Sequence, residues 1–517
     1  MLTKIKVKNY KGFKEAEIPI KPITVLLGAN SSGKSSMLQL LLLLQQTAEE
    51  TSDSYKSALK MFGNRISVGK PDNLFYGLDR KVPIQIQIGF KNEQMKEFLL
   101  GAFSSFLMEA SVYYFGPKFR EKLINTDNRD AVHKAFDEEL KNQDSNYYLW
   151  DEYCNFIARQ DVQNQDVVAL MKNYDFLINL RNNIKTSSFS VTYIITYNRK
   201  QLAISGFSVQ NDNLTILSYT ETQQFSSDLI ELNEMDGMAL KPFFPKNATI
   251  FNFVDTKKGK NKKTSLATSM ISIVNRILKD LQNEFREPFI NHVSPLRAHP
   301  QRYYTLDKAN VTYSLDTYDA NAIAEVIKDK KTLKSKVNGW FKQFGLEVTV
   351  DEFKEAIHKL TVRQSGLPLD IPDVGFGVSQ VLPVVLQGFL SPNKSVTIVE
   401  QPEVHLHPKM QAALADLFID IVKESKYTKH IMVETHSEYL LKRLRRRMAE
   451  GQVITPDKVS INLFHTRTEK YPALIENLSI EDRGYFEWPE EYYDGELSDD
   501  TNVFLTLQAN GNIYTNN

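Results

Sequence analysis

Gly28-Ala29-Asn30-Ser31-Ser32-Gly33-Lys34-Ser35 separates two apolar runs, Pro22–Leu27 and Ser35–Gln46. The first run is continuous and stops at the glycine, as a buried parallel strand does. In the second, apolar residues wrap nearly all round, so it reads as a buried helix. The stretch between them fits the phosphate-loop pattern completely. Its glycines let the backbone curl with N–H groups facing an anion, and the helix start adds a partial positive charge. On this reading Lys34 reaches the β- and γ-phosphates of a nucleotide, and the Ser35 hydroxyl binds Mg²⁺. The bland alternative, a chance glycine turn before a helix, does not require the flanking strand and helix that are present.

Three weaker segments follow in the distal half. Val374–Gln380 (VGFGVSQ) is a glycine/serine turn leading into apolar Val381–Leu390. It offers N–H groups at a helix start, and its bland reading is an N-cap by Ser379. Val396–Glu403 (VTIVEQPE) is an apolar strand ending in carboxylates. A Mg²⁺-bound water needs an acceptor at such a strand end, and the attacking water needs a base. Glu403, His405 and His407 have metal-ligand spacing, but no third convincing nitrogen or sulfur ligand lies near for zinc. Ile431–Ser437 (IMVETHS) ends a third strand in polar groups, where His436 can bond a γ-phosphate or the lytic water. Each is weak alone; their order and spacing after a phosphate loop are stronger together.

The 517 residues carry 63 Lys+Arg against 63 Asp+Glu, so a nucleic-acid contact needs a local patch and not a global field. Two basic runs qualify: Lys257–Lys263, and Lys442–Arg447 on a helix. Either is a solvated face or a sequence-independent phosphate contact. No run of about 18 apolar residues is present, so no membrane span is expected. The opening has no apolar signal segment, and the single cysteine, Cys154, fits a reducing cytoplasm. The organisation expected is an N-terminal lobe over 1–92, a helical insertion over 93–187 and antiparallel strands over 188–222. A helical region with the lysine loop follows over 223–290, then a C-terminal lobe over 291–470 and an acidic, aromatic tail over 471–517.

Together these motifs resemble the ABC-type ATPases of the SMC, RecF and OLD kind, and among them the AAA-family ATPases of bacterial anti-phage defence, most closely the Septu PtuA ATPases. Gly28–Ser36 resembles their Walker A, which carries Gly28, Asn30, Ser31, Ser32, Gly33, Lys34, Ser35 and Ser36 over as nucleotide contacts. Gly377, Ser379 and Gln380 match their signature motif, TIVEQPEVHLHP their Walker B and D-loop, and VETHS their switch-histidine loop. Ile5–Phe13 resembles the strand and turn that they place beside the nucleotide, and Ser294–Ala298 with Arg302 a segment common in the subgroup. The implied fold is α/β: a phosphate-loop parallel sheet with an antiparallel layer and helical insertions. The implied cofactors are ATP and Mg²⁺, the latter on Ser35 and Glu400. The implied mechanism is a head-to-tail homodimer that sandwiches ATP and controls an effector, a nuclease partner. Two departures stand out. Gln401 replaces the usual catalytic glutamate and cannot accept a proton, which leaves Glu403 or His436 as substitutes, or slow turnover. Only 81 residues follow His436, and they lack a nuclease-type acidic metal site. Two other readings stand beside this one: a nucleotide-held scaffold with little turnover, and a RecF-like repair ATPase.

Overall fold

The structure, a computed structural model, describes residues 1–52, 55–102, 164–198, 200–220, 224–244, 248–254, 265–305, 315, 319–354, 357–451, 453–468 and 470–487. Most of the insertion expected over 93–187, the lysine loop and residues 488–517 lie outside them. In chain order the first strands are β1 (Leu2–Tyr10), β2 (Phe13–Pro19), β3 (Ile23–Gly28), β4 (Ile84–Lys91), β5 (Ser188–Asn198), β6 (Gln201–Asn211), β7 (Leu214–Thr220) and β8 (Gln224–Ser226). They are followed by β9 (Ile290–Val293), β10 (Tyr304–Thr305), β11 (Leu346–Lys354), β12 (Ile357–Gln364), β13 (Leu367–Asp370), β14 (Val396–Glu400), β15 (His430–Glu434), β16 (Val459–His465) and β17 (Leu474–Asn477). The α-helices among the described residues are α1 (Lys34–Ala48), α2 (Asn164–Asn183), α3 (Glu234–Leu240), α4 (Ser265–Phe285), α5 (Ala320–Asp329), α6 (Lys331–Phe341), α7 (Phe376–Leu390), α8 (Pro408–Glu424) and α9 (Glu438–Glu450).

The chain divides into two compact units. The first comprises Met1–Thr51, Lys60–Val82 and Asn283–Asn517. Its centre is a six-stranded sheet in the order β17-β16-β3-β15-β14-β9. Every pair from β16 to β9 is parallel, and β17 adds an antiparallel edge. All six residues of β3 are buried, as its unbroken apolar sequence requires. The register pairs Leu26 with Glu434 and Glu434 with Glu400, so the strand ends meet along one edge. Ligands in open parallel sheets bind outside that edge.

The leucines of α1 are buried on every side, from Leu40 through Leu44. Each contributes roughly 1.5–3 kcal/mol by leaving water. On the other flank α7 and α8 bury Val381, Leu382, Val384–Leu386, Leu417 and Phe418 in a core shared with Ile23, Val25 and Leu27 of β3. A small antiparallel sheet, β10-β12-β11 with β13 on β12, packs through Val348, Leu360 and Val362 beneath α5 and α6. The sequence reading did not anticipate this sheet.

The second unit comprises Ser52–Leu59 and Pro83–Gln282. It holds the antiparallel meander β4-β5-β6-β7-β8. Within the 188–222 stretch, β5 and β6 form a hairpin. Phe207, Phe225, Phe244 and Phe253 stack beside this sheet, with ring centroids 4.9–6.0 Å apart. No helix among the described residues is long and apolar enough to cross a membrane.

His430 opens β15 at 4% exposure, and its Nδ1 has no partner among the described residues. Burial first, and the N-terminal ammonium second, push its pKa down to about 3. As pH falls below the ordinary 6.5, the unfolded chain therefore takes a proton that the folded chain refuses. Stability is lost over that window at about 1.4 kcal/mol per pH unit. Between pH 6 and 4, His430→Leu should lose about 2 kcal/mol less unfolding free energy than the parent in urea titrations; equal losses would refute this account of His430.

Candidate nucleotide site

The loop after β3 owes its shape to two glycines. Gly28 sits at φ 139° and Gly33 at φ 105°. A Cβ at Gly28 would lie 2.5 Å from the Phe464 carbonyl oxygen, and one at Gly33 would lie 2.6 Å from Phe13 Cζ. No side chain fits either place. Phe13 follows the β1–β2 turn, so that turn abuts the loop. The neighbouring Tyr10 hydroxyl donates to the Ser36 carbonyl at 3.2 Å. Asn30 and Ser31 are exposed on the rim, whereas Ser32 is buried and its Oγ has no partner among the described residues. Lys34, at 3% exposure, turns into the loop and donates to the carbonyls of Gly28 (2.8 Å) and Ala29 (2.9 Å). Burial lowers its pKa, opposed by Glu434 and Glu403.

Glutamates crowd the strand ends beside the loop. Glu434, buried at the end of β15, lies 3.9 Å from Lys34 Nζ through one oxygen and accepts from the Ser35 hydroxyl at 3.5 Å through the other. Burial pushes its pKa up to about 6, against the pull of Lys34. Glu400, at the end of β14, is paired instead with His292 of β9, Nε2 to Oε1 2.6 Å. Gln401 turns the chain at φ 43°, and its N–H donates to the Glu434 carbonyl at 2.8 Å. Glu403 has both carboxylate oxygens engaged, by the Thr435 hydroxyl (2.8 Å) and the His436 N–H (2.6 Å). Burial raises its pKa against those bonds. The His436 ring opens to solvent on one side, yet partial desolvation and then the Lys34 charge lower its pKa, which favours neutral imidazole. Ser437 accepts from the Leu440 N–H and caps α9.

Arg297 joins these strand ends to α7. At 6% exposure it donates to the carbonyls of Gln380 (3.1 Å), Glu400 (2.9 Å) and Gln401 (3.2 Å). Burial holds its pKa down to about 10. Ser379 is not a helix N-cap. α7 begins after Gly375, and the Ser379 hydroxyl donates to the Phe376 carbonyl at 2.7 Å inside the first turn. Ser379 and Gln380 are buried; Gly375 and Phe376 face solvent. Gly377 is required by contact, since a Cβ there would lie 2.8 Å from the His405 carbonyl oxygen. Among the described residues no hydrogen bond or ion pair joins this turn to Gly28–Ser35.

The geometry thus brings Lys34, Ser35 and Glu434 together, ties Glu403 to the His436 loop, and sets Glu400 aside on His292. Glu434, His292 and the bridging role of Arg297 escaped the sequence reading. The one available signal was that Glu434 ends a buried strand two residues before His436. His405 and His407 have other work: His405 packs edge-on against Phe376 at 4.9 Å, and His407 Nδ1 accepts from Lys409 N. No three His, Cys, Asp or Glu side chains among the described residues converge to hold a metal alone.

The basic run on α9 is paired internally, in keeping with the solvated-face reading. Lys442 pairs with Glu438 (2.6 Å), Arg443 with Asp416 (2.6 Å), and Arg446 with Glu450 (3.0 Å). Arg447 pairs with both Asp416 and Glu450, and Arg445 lies 5.0 Å over the Tyr485 ring. A phosphate backbone would compete with these internal partners, so the run is not a free basic patch.

A buried strand, a glycine loop closed by lysine and serine, and carboxylates on adjacent strand ends define a phosphate-loop nucleotide-binding ATPase. The chain belongs to the family described as AAA ATPase domain (AAA_15), which matches residues 1–441. None of the curated proteins matches it. Solved structures similar to it include the SMC head domain from Thermotoga maritima, at 9% identity and a TM-score of 0.36, covering 93% of this chain and 99% of that one. Another is an Smc head domain with an extended coiled coil bound to the C-terminal domain of ScpA, from Pyrococcus furiosus, at 10% identity and 0.36, covering 98% and 99%. Family membership and the site geometry, not these low scores, support a nucleotide-binding role.

Proposed function

We propose that this protein is an ATPase of the ABC type whose ATP-bound heads pair head to tail, and that the pairing controls an effector, a nuclease partner, in cytoplasmic anti-phage defence. The observation that supports the paired site is the division of donors. Lys34 and the N–H groups of the glycine loop suit one side of a triphosphate, while the open end of α7 at Gly375–Phe376 makes no hydrogen bond or ion pair with Gly28–Ser35 among the described residues. Each half satisfies only part of a polyanion, so a second copy supplies the rest. Ser379 joins the shell by rotating away from the Phe376 carbonyl. The defence role and the nuclease partner rest on the motif resemblance to Septu PtuA ATPases.

Mg²⁺ suits the oxygen donors present, which are one hydroxyl and strand-end carboxylates. Ser35 and a strand-end carboxylate beside it would hold it. Bound there, it neutralises charge on the terminal phosphates. Lys34 leaves the loop carbonyls for the β- and γ-oxygens. Neutral His436 bonds the γ-phosphate or the lytic water. Glu403 serves as a latch that orients the His436 loop, because both its oxygens are already engaged.

A nucleotide-held scaffold is favoured by one specific observation, Gln401 at the position where a base is needed. Phosphate release from ATP, with and without DNA and with Lys34→Ala as blank, separates the two. Turnover above the blank supports the enzyme, and none under any condition supports the scaffold.

A further inference from the structure

We propose that Glu434, and not Glu400, is the carboxylate that holds the hydrated Mg²⁺ against the phosphate loop. The inference rests on the nucleotide-site reading and narrows it to one side chain. Three observations carry it. First, the two oxygens of Glu434 face the two cation-handling groups of the loop, Lys34 at 3.9 Å and the Ser35 hydroxyl at 3.5 Å. Second, Glu400 ends the next strand in register with Glu434, but one of its carboxylate oxygens is taken by His292 at 2.6 Å, whereas both oxygens of Glu434 face the loop. A water on the ion would have to compete with that short bond. Third, Lys34 spends two of its three N–H donors on the Gly28 and Ala29 carbonyls. Among the described residues Glu434, at 4% exposure, has only a long ion pair and a long hydroxyl contact. A buried carboxylate so thinly matched is costly unless a cation completes it. The exposed Ser35 hydroxyl and a nucleotide's phosphates supply the other ligands of such a cation. The usual metal-side carboxylate has moved one strand inward, next to the phosphate-loop strand itself.

The test is binding of a non-hydrolysable ATP analogue by calorimetry, in EDTA and in Mg²⁺, on the full chain. Mn²⁺ in place of Mg²⁺ adds an electron-spin readout of metal occupancy. Glu434→Gln keeps the shape and removes the charge. The expected result is that metal-free affinity stays within about threefold while the gain on adding Mg²⁺ falls about tenfold or more. Ser35→Ala should reduce the same gain, and the double variant should lose little beyond either single one, because both act through one ion. A Glu434→Gln protein that retains the full Mg²⁺ gain overturns the proposal. So does one that binds metal-free analogue more tightly with an unchanged gain, which would make Glu434 only a counter-ion of Lys34. Should Glu434→Gln fail to fold, Glu434→Asp decides by the same two comparisons. Failure of the underlying site is separate: it shows as Lys34→Ala binding the analogue as tightly as the parent.

Discussion

Lys34→Ala lowers ATP affinity at least about 100-fold and abolishes turnover. The ammonium is almost wholly enclosed, at 3% exposure, and sits where the loop would bring terminal phosphates. Each charge-assisted bond lost there is worth about 1.5–3 kcal/mol, and 100-fold is about 2.7 kcal/mol. Lys34 donates to two loop carbonyls, so its removal also leaves the Gly28 and Ala29 oxygens unmatched. That costs about 1–3 kcal/mol of stability. The apolar core behind the loop is untouched, since the leucines of α1 pack without the lysine. The variant should therefore melt a few degrees lower yet remain folded. Calorimetric titration with ATP and Mg²⁺ checks the affinity; a folded Lys34→Ala protein with parental affinity contradicts the phosphate-loop assignment.

Gly375→Glu abolishes ATP-dependent pairing while each chain still binds nucleotide. Gly375 is exposed at the head of α7, and nothing lies within 4 Å of a Cβ built there. The substitution is therefore free of steric cost. It sets a carboxylate at the open end of α7, where a phosphate from the second copy would arrive. Two like charges about 4 Å apart repel by roughly 4 kcal/mol at the dielectric typical near a protein surface, enough to shift a pairing equilibrium by about a thousandfold. The folded monomer keeps that charge in water and near a favourable helix end, so its stability changes little. Light scattering with a non-hydrolysable analogue and Mg²⁺ should give a dimer for the parent and a monomer for Gly375→Glu. Dimers of equal affinity from both would remove α7 from the shared site.

What the chain announces in its sequence is what is local. Pro22–Ser35 declares strand, loop and helix because four buried apolar residues, a glycine pair and a lysine-serine doublet stand close together. The strands ending at Glu400 and Glu434 are legible for the same reason. Which carboxylate meets the loop is not, because it depends on β15 lying between β3 and β14 and on His292 arriving from β9 to take Glu400. Arg297 shows the same limit: its acceptors are three main-chain carbonyls, which leave no side-chain signal. The pairing of Lys442–Arg447 is not legible either, because Asp416, which pairs with two of its arginines, is supplied by a different helix. Ser379 misleads, since a helix starting at Phe376 places its hydroxyl inside the first turn and not before it.

Mixing the two disabled variants tests the shared site most directly. In a pair made of one Lys34→Ala chain and one Gly375→Glu chain, a single composite site joins an intact glycine loop to an intact α7 end. Analytical ultracentrifugation with a labelled non-hydrolysable analogue should then find dimers holding one nucleotide per two chains in the mixture, and none with either variant alone. If the mixture stays monomeric while the parent pairs, or if Lys34→Ala pairs by itself, the triphosphate is not held between two copies.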